Sequence, residues 1–153
     1  MRLTQYTDYS LRVLLYLGLQ EDKKLSNIKD IAGAYAISKN HLMKVTHELG
    51  KADLIETVRG RNGGIRLAKS PKEINVGDVV LKMEEDFHLV ECFNCANNSC
   101  VITPACDLRH VLQEAYLAFL GVLKKYTLDD LLQREHPMRS LLHLDEKKRL
   151  GHN

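Results

Sequence analysis

The sequence predicts a mainly α-helical protein with one small β-hairpin. Apolar residues recur at helical spacing along most of its 153 residues. The exception is residues 54–68, where two short runs with strand character flank a glycine-rich turn. Three predicted helices precede this hairpin and a long helix follows it. That order predicts a winged helix-turn-helix with a long C-terminal dimerisation helix.

Each of the three opening helices has a residue that can cap its N-terminus. Thr4 opens the first helix, predicted over residues 4–19, and Asn27 follows Ser26 at the start of a short second helix. Ser38 can cap the third helix. Only two residues separate the second helix from the cap of the third, which is typical of a helix-turn-helix pair.

The hairpin is predicted from strands at residues 54–58 and 65–68. Between them lies the stretch RGRNGG, whose glycines and Asn62 tolerate the positive φ angles that a hairpin turn requires. Its two arginines make the tip of the hairpin basic.

The second half of the chain is predicted to pair a fourth helix, opened by Asn75, with a longer one after residue 107. The longer helix is roughly 30 Å long. Its apolar stripe comprises Leu108, Val111, Leu112, Ala115, Phe119, Val122 and Tyr126. We expect the stripe to be covered by a second copy of the chain in a homodimer. Packing on the first and fourth helices is the alternative.

Charge is distributed unevenly along the chain. Residues 1–70 carry twelve Lys/Arg and seven Asp/Glu, whereas residues 71–153 carry ten and thirteen. A basic first half indicates an anionic partner, and we expect double-stranded DNA. In a helix-turn-helix the second helix of the pair enters the major groove, and an arginine-bearing hairpin tip suits a narrow minor groove. The predicted DNA contacts are Ser38, Lys39, Asn40, His41, Lys44, His47, Arg59, Arg61, Asn62 and Arg66.

The composition disfavours several classes of protein. No apolar run approaches the roughly 20 residues that cross a bilayer, and the N-terminal segment lacks a signal-peptide pattern. We therefore expect a cytoplasmic protein without a membrane partner. Nucleotide-binding loops and paired catalytic carboxylates are absent from the sequence, so we predict that the protein is not an enzyme.

All four cysteines, Cys92, Cys95, Cys100 and Cys106, lie in the stretch ECFNCANNSCVITPAC. In a reducing cytoplasm such a group indicates metal binding or redox chemistry rather than structural disulfides. Structural zinc often uses two Cys-x-x-Cys pairs, and only the first two cysteines form one. That pair also resembles a thiol switch. An iron–sulfur cluster tolerates irregular spacing and a non-thiolate donor. The residue pattern favours the cluster modestly and leaves the other two interpretations open.

Four segments of the chain resemble a known family. LTQYTDYSLRVLLYL, ISKNHLMKVTHELGKADLIETVRGRNGGIRLA, INVGDVV and CVITPACDLRHVL are similar to the nitric-oxide-responsive repressors of the IscR-like family of winged-helix regulators. The resemblance runs over residues 1–133. It implies a homodimer that carries an iron–sulfur cluster, with 4Fe–4S favoured over 2Fe–2S.

The resemblance also implies the ligands of that cluster. Three of them correspond to Cys92, Cys100 and Cys106. In the nitric-oxide-responsive members the fourth ligand is an N-terminal carboxylate of the other subunit, and the matching residue is Asp8. Other members use a histidine three residues after the last cysteine, where this chain has Arg109. Cys95 matches no usual ligand; it is either a spare thiol or a weaker candidate that competes with Asp8.

Transcriptional repression is the function that the resemblance implies. The cluster-loaded homodimer is expected to bind a palindromic operator and to leave it when nitric oxide nitrosylates the cluster. One alternative keeps the fold but senses iron, cluster supply or oxidation. The other is a zinc-stabilised DNA-binding module without a sensing role. The expected organisation is a DNA-binding domain (1–86), a cluster-binding loop (87–106), the dimerisation helix with a short C-terminal helix (107–133) and a charged, flexible tail (134–153).

Overall fold

The computed structural model describes residues 2–94 and 96–145 of the chain. Helices dominate, and the strands form one antiparallel hairpin, as predicted. The elements are α1 (Gln5–Gly18), α2 (Ile28–Tyr35), α3 (Lys39–Lys51), β1 (Ile55–Val58), β2 (Gly64–Leu67), α4 (Val76–Met83), α5 (Asp107–Leu123), α6 (Leu128–Leu131) and α7 (Glu135–Leu141). Within the described residues, no helix combines the length and apolarity that a membrane span requires.

The predicted caps of the first three helices are confirmed. The side chains of Thr4, Asn27 and Ser38 each accept a hydrogen bond from a main-chain N–H in the first turn of their helix, at 3.3, 2.9 and 3.2 Å. Ala36 ends α2 in the left-handed region with φ 52°. The next residue, Ile37, is buried, so the turn both reverses the chain and anchors α3 to the core.

The hydrophobic core lies where α1, α3 and the hairpin meet. Buried residues recur at helical spacing on α1 and α3, and both strands contribute inward-facing isoleucines. The core residues in these elements are Val13, Leu14, Leu17, Leu42, Val45, Leu49, Ile55 and Ile65. Ser26, just before α2, exchanges two main-chain hydrogen bonds of 2.9 Å with Ile65. The hairpin is therefore attached to the helix pair by a bridge that the sequence did not predict.

The C-terminal end of α5 is attached to the start of α4. The amide of Asn75 donates to the carbonyl of Lys124 at 2.8 Å. On either side of Asn75, the Val76 N–H donates to the Tyr126 carbonyl at 3.0 Å and the Leu128 N–H to the Ile74 carbonyl at 2.8 Å. These bonds orient α5 relative to the winged-helix domain.

The predicted apolar stripe of α5 is divided between two faces of the helix. Leu112 and Phe119 are half-buried on the side of the buried Leu120. The other face is open in the single chain, and its exposed apolar residues are Leu108, Val111, Ala115, Ala118 and Val122. Tyr126 lies beyond the end of the helix.

The structure corrects the prediction of a flexible tail from residue 134. Residues Glu135–Leu141 form α7, and Leu142 and Leu144 behind it are buried in the main core. Arg139 donates through Nε to the carboxylate of Asp145 at 2.9 Å. Charged residues dominate the end of the sequence, and this composition predicted a tail although Leu142 and Leu144 are buried. The rest of the predicted tail, residues 146–153, lies outside the described residues.

We expect the C-terminal segment to contribute to stability. Leu142 is 9% exposed and Leu141 is 79% exposed. Leu142→Ala should therefore lower the free energy of unfolding by about 2 kcal/mol through loss of buried apolar contacts, whereas Leu141→Ala should change it by less than about 0.5 kcal/mol. Urea denaturation at one fixed protein concentration measures both. Equal effects of the two substitutions would contradict the packing of this segment.

Candidate functional site

Helix α3 presents a polar face away from the core. Its inner face holds the buried Leu42, Val45 and Leu49. The predicted contacts on the opposite side, Lys39, Asn40, His41, Lys44 and His47, are all exposed. Ser38 is exposed as well, but its hydroxyl already accepts the His41 N–H and so shapes the helix terminus. The fold therefore gathers these side chains on one accessible surface, which we call the recognition face.

The hairpin tip places a second group of basic residues at the surface. Arg59, Arg61 and Asn62 are exposed in the turn between β1 and β2. Gly60 has φ 116°, a conformation that strongly favours glycine. A Cβ atom on Gly63 would lie 2.2 Å from the Val58 carbonyl oxygen, so this position also requires glycine. The tight turn leaves the two arginines projecting from a thin tip.

Arg66 differs from the other predicted DNA contacts. It is half-buried and forms an ion pair with Glu56 across the hairpin. Its Nη1 also donates to the carbonyl of Lys23 at 3.3 Å. These contacts give Arg66 a role in holding the hairpin against the loop that follows α1.

Helix α1 contacts α3, the predicted recognition helix, through two tyrosines that no sequence motif indicated. The Tyr6 hydroxyl donates to the main-chain carbonyl of Lys44 at 3.3 Å. The ring of Tyr9 lies 6.3 Å from that of His41, centroid to centroid. Burial, together with the carboxylates of Glu48 and Glu85, raises the pKa of Tyr6 to about 12. Its hydroxyl therefore stays protonated and remains a donor at neutral pH.

Asp8 lies on α1 between these two contacts and is paired within its own helix. Arg12 donates through Nε to Asp8 Oδ1 at 3.1 Å, and Nη2 lies 2.8 Å from Oδ2. The same guanidinium lies over the rings of Tyr9 and Tyr35, 5.7 and 5.9 Å from their centroids. The Asp8 side chain is nevertheless 44% exposed, so a second chain can reach its carboxylate. The i, i+4 spacing of Asp8 and Arg12 could have predicted this pair.

The cysteine loop is organised by local hydrogen bonds rather than by a core. Glu91 accepts from the main-chain N–H and the hydroxyl of Ser99, at 2.5 and 2.6 Å. These bonds hold the pKa of the exposed Glu91 carboxyl below its usual range. Asn98 accepts the Cys100 N–H at 3.1 Å, and Thr103 donates to the Cys100 carbonyl at 2.8 Å. Glu91 and Ser99 flank Cys92 and Cys100, so their bonds bring the two cysteine-bearing segments together.

The predicted thiol ligands are free cysteines. Cys92 and Cys106 are half-buried and Cys100 is exposed. Cys106 is the residue that precedes the first turn of α5. Across residues 2–94 and 96–145, no three Cys, His, Asp or Glu side chains converge closely enough to hold a metal ion. Cys95, the weaker candidate, lies outside the described residues.

The chemistry of the donors fits an iron–sulfur cluster. Three thiols in one loop supply most of the thiolate ligands that such a cluster needs, and a donor other than a thiolate can complete the set. Asp8 is not brought to the cysteines of its own chain in any metal-holding group within the described part of the structure. The assignment of Asp8 from a second subunit as the fourth donor stays a prediction. Arg109 follows Cys106 by three residues, and its Nε is buried without a hydrogen-bond partner among the described residues.

Comparison with protein families gives a match over most of the chain. The model of the Rrf2 family, described as an iron-dependent transcriptional regulator, matches residues 3–134.

Curated relatives agree with this match. The HTH-type transcriptional regulator NsrR of Shouchella clausii is 60% identical over 142 residues, which cover 93% of this chain and 95% of the relative. NsrR of Bacillus subtilis is 56% identical over 146 residues, which cover 95% of this chain and 100% of the relative. These relatives are transcriptional regulators, so the prediction that the chain is not an enzyme is confirmed.

Solved structures support the same fold. The global cysteine regulator CymR of B. subtilis has a TM-score of 0.68 at 24% identity and covers 86% of this chain and 95% of its own. IscR of T. potens has a TM-score of 0.70 at 24% identity and covers 88% of each chain. At this identity the likeness concerns the fold alone, and it confirms the winged helix-turn-helix with a C-terminal helix. Together with the family match and the curated relatives, it leads to the conclusion that the chain belongs to the Rrf2 family of transcriptional regulators.

Proposed function

We propose that the protein is a DNA-binding repressor that acts as a homodimer and senses nitric oxide through an iron–sulfur cluster. The observation that carries the proposal is the position of Asp8. It lies on α1 between Tyr6 and Tyr9, and both of these tyrosines contact the recognition helix α3. A ligand that engages Asp8 would therefore act directly beside the DNA-reading element.

The recognition face and the hairpin tip supply the DNA contacts in this proposal. Asn40 can read adenine in the major groove, and Lys44 can meet guanine or phosphate. Lys39 lies in the first turn of α3, where the helix N-terminus favours phosphate. Arg59 and Arg61 on the thin tip suit the minor groove. Arg66 would act mainly by fixing the hairpin, because its guanidinium is engaged within the chain.

The open face of α5 supports the homodimer. Its apolar side chains are exposed in the single chain, with Leu108 62% and Val111 59% accessible. The middle of the face has the small residues Ala115 and Ala118, which permit close approach of a second helix. A contiguous apolar surface of this kind marks a protein interface, and two-fold symmetry lets one face cover itself.

The proposed cluster ligands are Cys92, Cys100 and Cys106 of one protomer and Asp8 of the other. When bound, the cluster supplies iron that can react with nitric oxide, and iron held by a carboxylate is less strongly bound than iron held by thiolates. Within the chain, Asp8 must loosen its pair with Arg12 to serve as a ligand. Arg12 would keep its contacts with the rings of Tyr9 and Tyr35.

Release of Asp8 would change the position of α1 relative to α3. The Tyr6 hydrogen bond to the Lys44 carbonyl and the contact between Tyr9 and His41 transmit that change to the recognition face. Two recognition helices of a dimer must match two half-sites at a fixed separation. A small shift therefore weakens operator binding.

Removing one basic side chain from the hairpin tip should weaken operator binding. Arg61→Gln is expected to reduce the slope of log K against log salt by about 1 and to lower affinity at each salt concentration. Lys125→Gln, just after α5, removes the same charge outside the recognition face and serves as the control. Both are measured by fluorescence anisotropy with a duplex selected from a palindromic library. Equal losses in the two variants would argue against a role for the tip.

One charge on the open face of α5 should dissociate the dimer. Val111→Glu is expected to give monomers at micromolar concentration, because the charge would be buried between two apolar faces. Leu117 is equally exposed, at 58% against 59% for Val111, but lies on another side of the helix. Leu117→Glu should leave the dimer intact. Sedimentation velocity distinguishes the two outcomes, and a dimeric Val111→Glu would contradict the proposed interface.

The ligand assignment is tested with Asp8→Ala and Cys95→Ser in protein reconstituted without oxygen. Cys95→Ser should match the wild type in iron and sulfide content and in release from the operator by nitric oxide. Asp8→Ala should retain its cluster less well and lose most of its response to nitric oxide. Cluster loss in the Cys95 variant alone would reverse the assignment. Zinc without sulfide in the wild-type protein would favour the zinc-stabilised module. Release of the protein from the operator by iron depletion or oxidation, but not by nitric oxide, would favour the alternative signals.

A further inference from the structure

The N-terminal turn of α1 is capped by a carboxylate from a distant part of the chain. In an ordinary capping box, the third residue of the helix is Glu or Gln, and its side chain reaches back to the N–H of the capping residue. Here the capping residue is Thr4, and the third helical residue is Thr7, which has no carboxylate. Glu84, which ends α4, supplies the missing acceptor.

The Glu84 carboxylate accepts hydrogen bonds from three groups in the first turn of α1. Both of its carboxylate oxygens lie 3.2 Å from the main-chain nitrogen of Thr4. Oε2 accepts from the Thr4 hydroxyl at 3.1 Å and from the Thr7 hydroxyl. Thr7 is fully buried, so its hydroxyl needs an acceptor, and the Glu84 carboxylate provides one beside the Thr4 hydroxyl. The positive end of the α1 dipole adds a favourable interaction with the carboxylate.

The contacts of Glu84 with Thr4 and Thr7, which we call the clamp, connect two parts of the proposed sensor. Thr7 immediately precedes Asp8, so the clamp holds the turn of α1 that carries the proposed fourth ligand. Glu84 is the C-terminal capping residue of α4, and the segment after it leads into the cysteine loop. In that segment, the ring of Phe87 lies 5.3 Å from that of Tyr116 on α5, centroid to centroid. The entry to the loop is thus attached to α1 on one side and to α5 on the other.

We propose that Glu84 is a positioning residue that joins the cysteine loop of each protomer to the Asp8 that the same protomer offers to its partner. The proposal rests on the proposed function. If Asp8 serves the partner's cluster, each protomer holds one cluster with its thiols and completes the other with its carboxylate. Glu84 links these two roles, so that a disturbance of one loop reaches the cluster on the other side of the dimer.

A double-mutant cycle tests this role in the full-length dimer. Glu84→Gln, Asp8→Ala and the combined variant are reconstituted without oxygen, and cluster loss in EDTA is followed by visible absorbance. Glu84→Gln is expected to accelerate cluster loss by about fivefold, the size of effect expected for a lost helix cap. Because Glu84 acts through Asp8, the combined variant should lose its cluster at the rate of Asp8→Ala alone.

Two further variants separate positioning from general stability. Glu85→Gln alters the neighbouring exposed carboxylate, which makes none of these contacts, and should behave as the wild type. Thr7→Val removes one donor to Glu84 with little change in volume and should accelerate loss in the same direction by a smaller factor. Thermal unfolding of the cluster-free proteins records the stability of each variant.

The rates of cluster loss in these variants decide between a positioning role of Glu84 and an effect on stability alone. An unchanged rate in Glu84→Gln, or equal acceleration by Glu84→Gln in the wild-type and Asp8→Ala backgrounds, would overturn the positioning role, even if the cluster-free protein were less stable. If Glu84→Gln does not fold, the same cycle with Thr7→Val decides the question. Failure of the wild type to take up iron and sulfide would instead overturn the proposed function, and the role of Glu84 with it.

Discussion

The packing of α1 against α3 constrains the rest of the structure. Val13, Leu14 and Leu17 on α1 are part of the same core as the inner face of α3, so the two helices cannot move apart without exposing apolar surface. The same helix carries Asp8 near its N-terminus and two tyrosines that touch the recognition helix. A core contact that is needed for stability thus also sets the distance between a candidate ligand and the DNA-reading face. In the proposed function, only a small rearrangement of α1 is compatible with this packing.

The cysteine loop has the opposite physical character. It has short 3-10 turns and hydrogen bonds between neighbouring polar residues, such as Glu91 with Ser99, and contributes no residue to the described core. Few buried apolar contacts mean a low cost of local rearrangement. A cofactor that binds the three thiols would then supply much of the loop's order, since metal binding and local folding are coupled. The segment that precedes the loop is attached to α1 through Glu84 and to α5 through the contact between Phe87 and Tyr116.

Helix α5 is fully attached at one end only. Bonds from Asn75 and its neighbours hold its C-terminal end, and one side of the helix packs on the domain. The opposite side exposes an apolar face, and the contact of this face with water is unfavourable in free energy. In the proposed homodimer, a second copy of the chain would cover this face, and its Asp8 would complete the ligand set of the cysteine loop. The homodimer and the shared ligand set in the proposed function therefore depend on each other.

Several local features of the fold could be predicted from the sequence because they depend on residues a few positions apart. The caps at Thr4, Asn27 and Ser38, the two glycine-dependent positions of the hairpin turn and the polar face of α3 belong to this group. The cysteine ligand set came from family resemblance and remains a prediction. Tertiary structure alone decided the contacts that join distant residues: Glu84 with the first turn of α1, Arg66 with Glu56 and the Lys23 carbonyl, and Leu142 and Leu144 with the core. It also decided which side of α5 stays open. The physical reason is that periodicity identifies an apolar face and a polar face, but only packing determines which neighbour covers the first and which partner a charged side chain meets.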